Sequence, residues 1–141
     1  MDTKVLNLDD ISVGQSARRE FTFSKDVVTR FGDLVDDHAP VHFDAGFAES
    51  QGFDGTIVHG YLLASLFSGL LGERLPGPNT VINALSLKYH QPVPVGETVT
   101  FEATVDQISP AVGAVLLKLT AAKSDGEIAV SGRTTCSFRT S

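Results

Sequence analysis

Apolar and polar positions alternate early in the chain and then change to helical spacing. The alternation over residues 17–23 predicts a first strand. Ser24 is a typical N-cap residue, and the apolar positions after it are spaced as on one face of a helix. Those positions are Val27, Val28, Phe31, Leu34 and Val35. Because Pro40 disfavours helical conformation at the residue before it, the helix is predicted to end near Asp36.

A second helix is far more apolar and is predicted to run from His59 or Gly60 to about Arg74. Its leucines cover most of the circumference, which is typical of a buried helix. Small side chains interrupt them and would let a sheet or another chain approach closely. These are Gly60, Ala64, Ser65, Ser68, Gly69 and Gly72. A short helix is also predicted over residues 44–50, between the two longer ones.

The remainder of the chain alternates with period two and is rich in β-branched residues, so it is predicted to be sheet. The predicted strands cover residues 80–90, 98–108, 114–122 and 128–138. Residues 124–127 read Ser-Asp-Gly-Glu, a strong hairpin turn. The order predicts one α+β domain over residues 1–141, in which a long antiparallel meander wraps the central helix.

The composition indicates one globular domain and argues against two kinds of protein, those that bind nucleic acid and those that span a membrane. The 141 residues are 42% hydrophobic, which suits one globular domain with a real core. A net charge of −6 argues against nucleic acid as a partner, because phosphate binding needs a basic surface. The longest apolar stretch, residues 61–71, is too short to span a membrane.

The start of the chain and the cysteine content indicate a cytoplasmic protein. The first seven residues lack the basic start and long apolar run of a signal peptide. Cys136 is the only cysteine, so an intrachain disulfide is impossible, as suits a reducing compartment. Cys136 lies in an alternating segment and is predicted to be a packed strand residue rather than a nucleophile.

Candidate chemistry is concentrated in residues 37–42, which read Asp-His-Ala-Pro-Val-His and follow the first helix. Asp37 and His42 are a minimal pair for moving protons near neutral pH. Gly60 at the start of the second helix offers a backbone N–H where negative charge is stabilised. Together they indicate an acid–base enzyme acting on a carbonyl compound. The four histidines lack the close pairing with Cys or carboxylates that metal sites use, so no metal is expected.

These segments resemble the MaoC-like, (R)-specific enoyl-CoA hydratases. The family motif Asp-x-Asn-Pro-(Ile/Leu)-His corresponds to residues 37–42, and its Ile-Val-His-Gly segment stands intact at residues 57–60. The apolar run over residues 62–72 is similar to that of short bacterial members. The resemblance spans about residues 8–138 and implies a hot-dog fold, in which a curved antiparallel sheet wraps one central helix.

The resemblance also implies roles for individual residues. Asp37 and His42 would hold a catalytic water, and the Gly60 N–H would bind the thioester oxygen. Ser68 matches a serine near that water. His59, Tyr61 and Leu66 are expected at the substrate, although His59 also suits a structural role at the helix start.

The resemblance further implies reversible syn hydration of trans-2-enoyl thioesters to (R)-3-hydroxyacyl thioesters. No cofactor is expected beyond the CoA or carrier-protein pantetheine of the substrate itself. The expected partner is a second copy of the chain, in a homodimer or a larger oligomer, since pairing would cover an exposed strand edge.

Two other functions stay open at this point. A hot-dog thioesterase usually needs a carboxylate in the central helix, and residues 60–72 contain no Asp or Glu. A non-catalytic acyl-thioester binding protein is favoured by Ala39, which stands where the family has an asparagine that shapes the catalytic loop. His38 beside it is a candidate for partial compensation.

Overall fold

One long helix lies against a five-stranded antiparallel sheet in the computed structural model, which describes residues 5–139. The helices are α1 (Lys25–Val35), α2 (Ala45–Ser50) and α3 (Gly60–Glu73), with 3-10 turns at Leu8–Asp10 and Pro40–His42. The strands are β1 (Ser16–Thr22), β2 (Thr80–Tyr89), β3 (Thr98–Ser109), β4 (Ala114–Lys123) and β5 (Ile128–Phe138). Each predicted element is present within one residue of its predicted ends. The predicted single domain over residues 1–141 begins and ends outside the described residues and stays a prediction.

Helix α1 begins and ends where its local sequence predicts. The Ser24 side chain accepts a hydrogen bond from the Val27 N–H at 3.2 Å and caps the first turn. At the other end, Asp36 adopts a left-handed conformation with φ of 59°. A left-handed residue cannot continue a helix, so the chain leaves α1 at this point and enters the segment that carries Asp37.

The core forms where one side of α3 meets the inner face of the sheet. Alternate residues of β3 are buried, and the Phe101 ring meets the Phe67 ring of α3 edge-on at 5.2 Å. Cys136 is fully buried in β5, which confirms its predicted place in the packing. Burial also raises the pKa of its thiol to about 11, so it is a poor nucleophile.

The strands do not form the predicted meander in full, since the spatial order is β1-β3-β4-β5-β2. Strands β3, β4 and β5 do pair in sequence, and β4 and β5 join through the predicted turn at residues 124–127. Strand β2 instead pairs with β5 at the far edge. The segment between β2 and β3 cannot act as a hairpin because it crosses the molecule. It bonds there to Val58 through the Val93 carbonyl and to Phe23 through the Gly96 N–H.

Helix α3 is buried on one side only, which corrects the prediction of burial all round. Leu62, Leu63, Phe67, Leu70 and Leu71 face the core. The opposite side carries Tyr61, which is 84% exposed, together with exposed Ser65 and Ser68. None of the helices within residues 5–139 combines the length and hydropathy needed to cross a bilayer.

Candidate active site

The loop of residues 37–42 leaves α1 through a tight turn that brings Asp37 and His42 to one place. The Asp37 N–H donates to the Gly32 carbonyl at 2.9 Å, which folds the loop back onto α1. Pro40 then begins a 3-10 turn that ends at His42. A proline is well tolerated at this first position because its missing N–H would have no partner there.

The His42 ring is held in one orientation and, when neutral, in one tautomer. Its Nδ1 lies 2.8 Å from the main-chain carbonyl of Ile57. Since a carbonyl only accepts, Nδ1 carries the proton and donates, and Nε2 is left as a hydrogen-bond acceptor. One Asp37 oxygen accepts from the Ala39 N–H at 3.2 Å. Each member of the pair therefore keeps one polar atom for a reactant.

The spacing of the pair suits a bridging water. One polar side-chain atom of each of Asp37, His42 and His59 lies within 4.8 Å of the corresponding atoms of the other two. A water hydrogen-bonded to two groups, each about 2.8 Å away, fits between atoms at that separation. The same three residue types also ligate metals, although one nitrogen of each imidazole already faces a main-chain carbonyl. The expected absence of a metal stays a prediction.

The start of α3 supplies an open N–H beside the pair. Gly60 is the first residue of α3, and the first N–H groups of a helix have no acceptor within it. His59 holds the N-cap position but makes no side-chain cap hydrogen bond. The helix dipole and these free donors together make a site for a developing negative charge.

Tyr89 packs over this helix start, and sequence reasoning missed it. Its hydroxyl donates to the Gly60 carbonyl at 2.7 Å. A Cβ placed on Gly60 would lie 3.4 Å from the Tyr89 ring, so glycine allows the ring to come this close. Burial raises the pKa of Tyr89, which keeps the hydroxyl protonated as a donor. Only the pairing of distant segments places a β2 residue on the start of α3.

A cleft of about 290 Å³ lies against these groups and is lined by His42, Gly60, Leu63, Tyr89 and Val93. A wider depression of about 560 Å³ adjoins it and shares Phe53, Ile57, Gln91 and Pro92 with it. Most of the lining of the smaller cleft is apolar. The polar groups of that lining are the side chains of His42, Tyr89, His90 and Gln91 and the backbone of Gly60.

His59 lies behind the pair rather than at the cleft surface. Its side chain is buried, and Nε2 donates to the Asp37 main-chain carbonyl at 3.1 Å. The ring stacks on His42 with centroids 3.9 Å apart. Burial lowers the pKa of His59, so the ring is neutral near pH 7.

The other predicted site residues are not brought to the pair within one chain. Ser68 lies about 12 Å beyond Gly60 along the helix axis and is exposed. Tyr61 points into solvent, and Leu66 is half-buried against the core. Their predicted catalytic and substrate roles stay predictions.

The His38 side chain lies against two carboxylates at the end of α1 and just beyond it, and its predicted compensation for Ala39 stays a prediction. Its Nε2 lies 2.9 Å from Asp33, and its Nδ1 lies 3.4 Å from Asp36. Asp33 lies in the last turn of α1 and Asp36 is its C-cap, so the imidazole is paired with the end of that helix.

Comparison with known proteins decides the family. A family model described as "MaoC like domain" matches residues 10–126, which is more than half of the chain. The chain belongs to the MaoC-like domain family. It is 44% identical over 100 residues to an (R)-specific enoyl-CoA hydratase from Aeromonas caviae, covering 71% of this chain and 75% of that protein. An (R)-specific enoyl-CoA hydratase from Rhodospirillum rubrum is 35% identical over 127 residues, covering 90% of this chain and 88% of that one.

A solved structure of a MaoC-like relative matches nearly the whole fold. The (R)-hydratase from A. caviae involved in PHA biosynthesis aligns with a TM-score of 0.87 at 38% identity. The alignment covers 92% of this chain and 98% of that chain. The predicted α+β hot-dog fold is therefore confirmed.

Proposed function

We propose that this MaoC-like chain is a hydro-lyase that reversibly hydrates trans-2-enoyl-CoA thioesters to (R)-3-hydroxyacyl-CoA. The single observation that carries the proposal is the placement of Asp37 and His42 within reach of one water beside the free N–H of Gly60. The names of the A. caviae and R. rubrum relatives support the same reaction and CoA as the carrier.

The reaction adds hydroxide to C3 and a proton to C2 of the enoyl thioester. As the oxygen of a water held between Asp37 and His42 adds to C3, one member of the pair takes a proton from that water, and a proton then passes from the pair to C2, so that both side chains return to their starting state. For His42 the exchanging atom is Nε2, because Nδ1 is bonded to the Ile57 carbonyl. Such acid–base assistance contributes about 10²–10⁴-fold to the rate. No cofactor is needed beyond the CoA of the substrate.

Gly60 provides the electrostatic part of the reaction. Negative charge builds on the thioester oxygen as hydroxide adds to C3. The Gly60 N–H at the positive end of α3 stabilises that charge, and a donor of this kind contributes about 3 kcal/mol to lowering the barrier. Tyr89 holds the same residue through its carbonyl, which fixes where the donor points.

The assay for this function separates it from thioester hydrolysis and from mere binding. Purified protein is mixed with crotonyl-CoA, and the enoyl absorbance, the free thiol and the configuration of the product are measured. The hydratase predicts loss of the enoyl signal without thiol release and a product of R configuration. Thiol release would identify a thioesterase, and binding without turnover would identify a binding protein in which Ala39 has removed catalysis.

We also propose that the chain works as a homodimer joined through β2. This strand is at the edge of the sheet, and its Val81, Ile82 and Leu85 side chains are 42–44% exposed. Apolar edge strands of this kind are usually covered by a partner. Leu85→Lys should shift sedimentation toward monomer, with exposed Lys88→Glu on the same strand as the control. If the wild type sediments as a monomer, as the variant does, the β2 interface is excluded.

A further inference from the structure

The buried imidazole of His59 is not used by the proposed chemistry, yet it contacts both members of the catalytic pair. We propose that His59 is a positioning residue that fixes the Asp37 main chain and the plane of the His42 ring. This role differs from the substrate contact that the sequence predicts. It rests on the proposed hydratase function, and a measurement made without substrate distinguishes its failure from failure of that function.

The first contact completes the hold on the Asp37 main chain. The Asp37 N–H donates to Gly32, and its carbonyl accepts from His59 Nε2 at 3.1 Å. The carbonyl also lies against α1, since a Cβ on Gly32 would be only 2.9 Å from it. Both peptide groups of Asp37 are thus held, and one of its carboxylate oxygens is bonded to the Ala39 N–H, so the residue is fixed within the loop.

The second contact sets the His42 ring. The two imidazole rings are stacked at 3.9 Å with 28° between their planes. His42 is held at its edge by the Ile57 carbonyl and on its face by His59, so Nε2 is directed by two independent contacts. A charged ring at this distance would repel the imidazolium that His42 becomes when it takes a proton. His59 stays neutral because it is buried, and the titratable groups that face it are Asp37, His42 and His38.

An apolar side chain at position 59 could not make both of these contacts. Phe31 and Phe43 meet the His59 ring edge-on at 5.0 and 5.7 Å, so the surroundings would suit another aromatic ring. A phenyl ring, however, has no N–H for the Asp37 carbonyl, which would be left without that bond. His59 Nδ1 is buried without a hydrogen-bond partner among the described residues, which is a cost. The hydrogen bond at Nε2 and the contact on the ring face offset the cost of the unpaired Nδ1.

The test uses His59→Phe, which keeps an aromatic face and removes the donor. We expect kcat for crotonyl-CoA to fall about 10- to 100-fold, as for small misplacements of catalytic groups, with KM within threefold. Val99→Ala, a truncation at a buried β3 position away from the pair, is the control for stability loss. It should lower resistance to urea while leaving kcat unchanged. A His59→Phe protein with wild-type kcat, or with a raised KM alone, would overturn the proposal.

Two further measurements separate positioning from other roles. In an Asp37→Asn background, His59→Phe should cause little additional loss of kcat, since the positioned group is gone; a full additive loss would overturn the proposal.

The second measurement needs no substrate and follows the ¹⁵N shifts of His42. The wild type should show the Nδ1-protonated tautomer that the Ile57 carbonyl selects, and His59→Ala should change the shifts because the ring loses the contact on its face. Unchanged shifts in a folded variant would contradict positioning, whereas an inactive wild type with the expected shifts would count against the hydratase function alone.

Discussion

The corner that holds Asp37, His42 and His59 differs sharply from the outer edge of the sheet at β2. In the corner, each of the three residues is hydrogen-bonded to main-chain groups. Asp37 bonds to Gly32 and Ala39, and His42 bonds to Ile57. His59 bonds to the carbonyl of Asp37. At the edge, Val81, Ile82 and Leu85 are exposed apolar side chains. These three side chains are thus brought together within one chain, whereas the edge is suited to a partner. Single substitutions can disturb one region at a time.

The largest effect is expected at the edge, from Gly132→Ala in β5. A Cβ at this position would overlap the carbonyl oxygen of Ser86 in β2, and both atoms belong to paired strands. The overlap forces β2 away from β5, and backbone clashes of this severity cost more than about 4 kcal/mol. Urea unfolding should show this loss together with a change in oligomeric state. A variant as stable as the wild type would mean that β2 does not pack this closely against β5.

Gly32→Ala applies the matching disturbance to the corner. A Cβ here would lie 2.8 Å from the Phe43 ring and 2.9 Å from the Asp37 carbonyl. To relieve these contacts, the loop that carries the Asp37 carboxylate must move. The substitution should therefore lower the free energy of unfolding by about 1–3 kcal/mol and lower kcat about 10- to 100-fold.

Gly72→Ala in α3 is the control for Gly32→Ala, since its Cβ meets nothing within 4 Å. Alanine there should raise stability by about 0.5–1 kcal/mol and leave kcat unchanged. Equal kcat for both alanine variants would show that the corner tolerates displacement, and the tight placement of Asp37 would then not matter for turnover.

Tyr89 joins the two regions, because it lies in β2 and bonds the first residue of α3. Tyr89→Phe removes one hydrogen bond, with a net contribution of about 1 kcal/mol. We expect kcat/KM to fall about fivefold, by loss of orientation at Gly60, while the oligomeric state is unchanged. An unaltered kcat/KM would exclude a role for Tyr89 at the oxyanion site.

The smallest effect is expected from His38, whose ion pairs lie on the solvent side of the corner. Its hydrogen bond to Asp33, with the nearby carboxylates, raises its pKa above the ordinary 6.5. The protonated imidazole therefore stabilises the folded state below about pH 6.5, and this contribution is lost as pH rises through the raised pKa. Urea unfolding of His38→Gln should differ more from wild type at pH 5.5 than at pH 8. The opposite trend would contradict the assigned pairing.

Local signals predicted the ends of the helices and the loop after α1 that carries Asp37 and His42. Ser24, Asp36 and Pro40 act on their immediate neighbours, so their effect is visible in a short window of sequence. The pairing of β2 with β5 was not predictable in this way, since it depends on where the segment between β2 and β3 crosses the molecule. The ion pairs of His38 with Asp33 and Asp36 likewise depend on the turn by which the chain leaves α1.

The burial of His59 shows the limit of reading a site from sequence. Its place before Gly60 is visible in the chain, and that place suggests a substrate contact or a cap. The structure instead directs the ring back to the Asp37 carbonyl, 22 residues earlier. A contact across that separation follows only once α3 has packed against the end of α1.

The measurement that tests the catalytic role of the pair most directly is turnover of crotonyl-CoA by the wild type, Asp37→Asn and His42→Ala. Asp26→Asn, an exposed carboxylate in the first turn of α1, is the control. We predict that both pair variants lose about 10²–10⁴-fold in kcat with little change in unfolding, while Asp26→Asn retains wild-type activity. If either pair variant keeps more than about a tenth of wild-type kcat, the loss falls below the acid–base range and the pair does not carry the hydration.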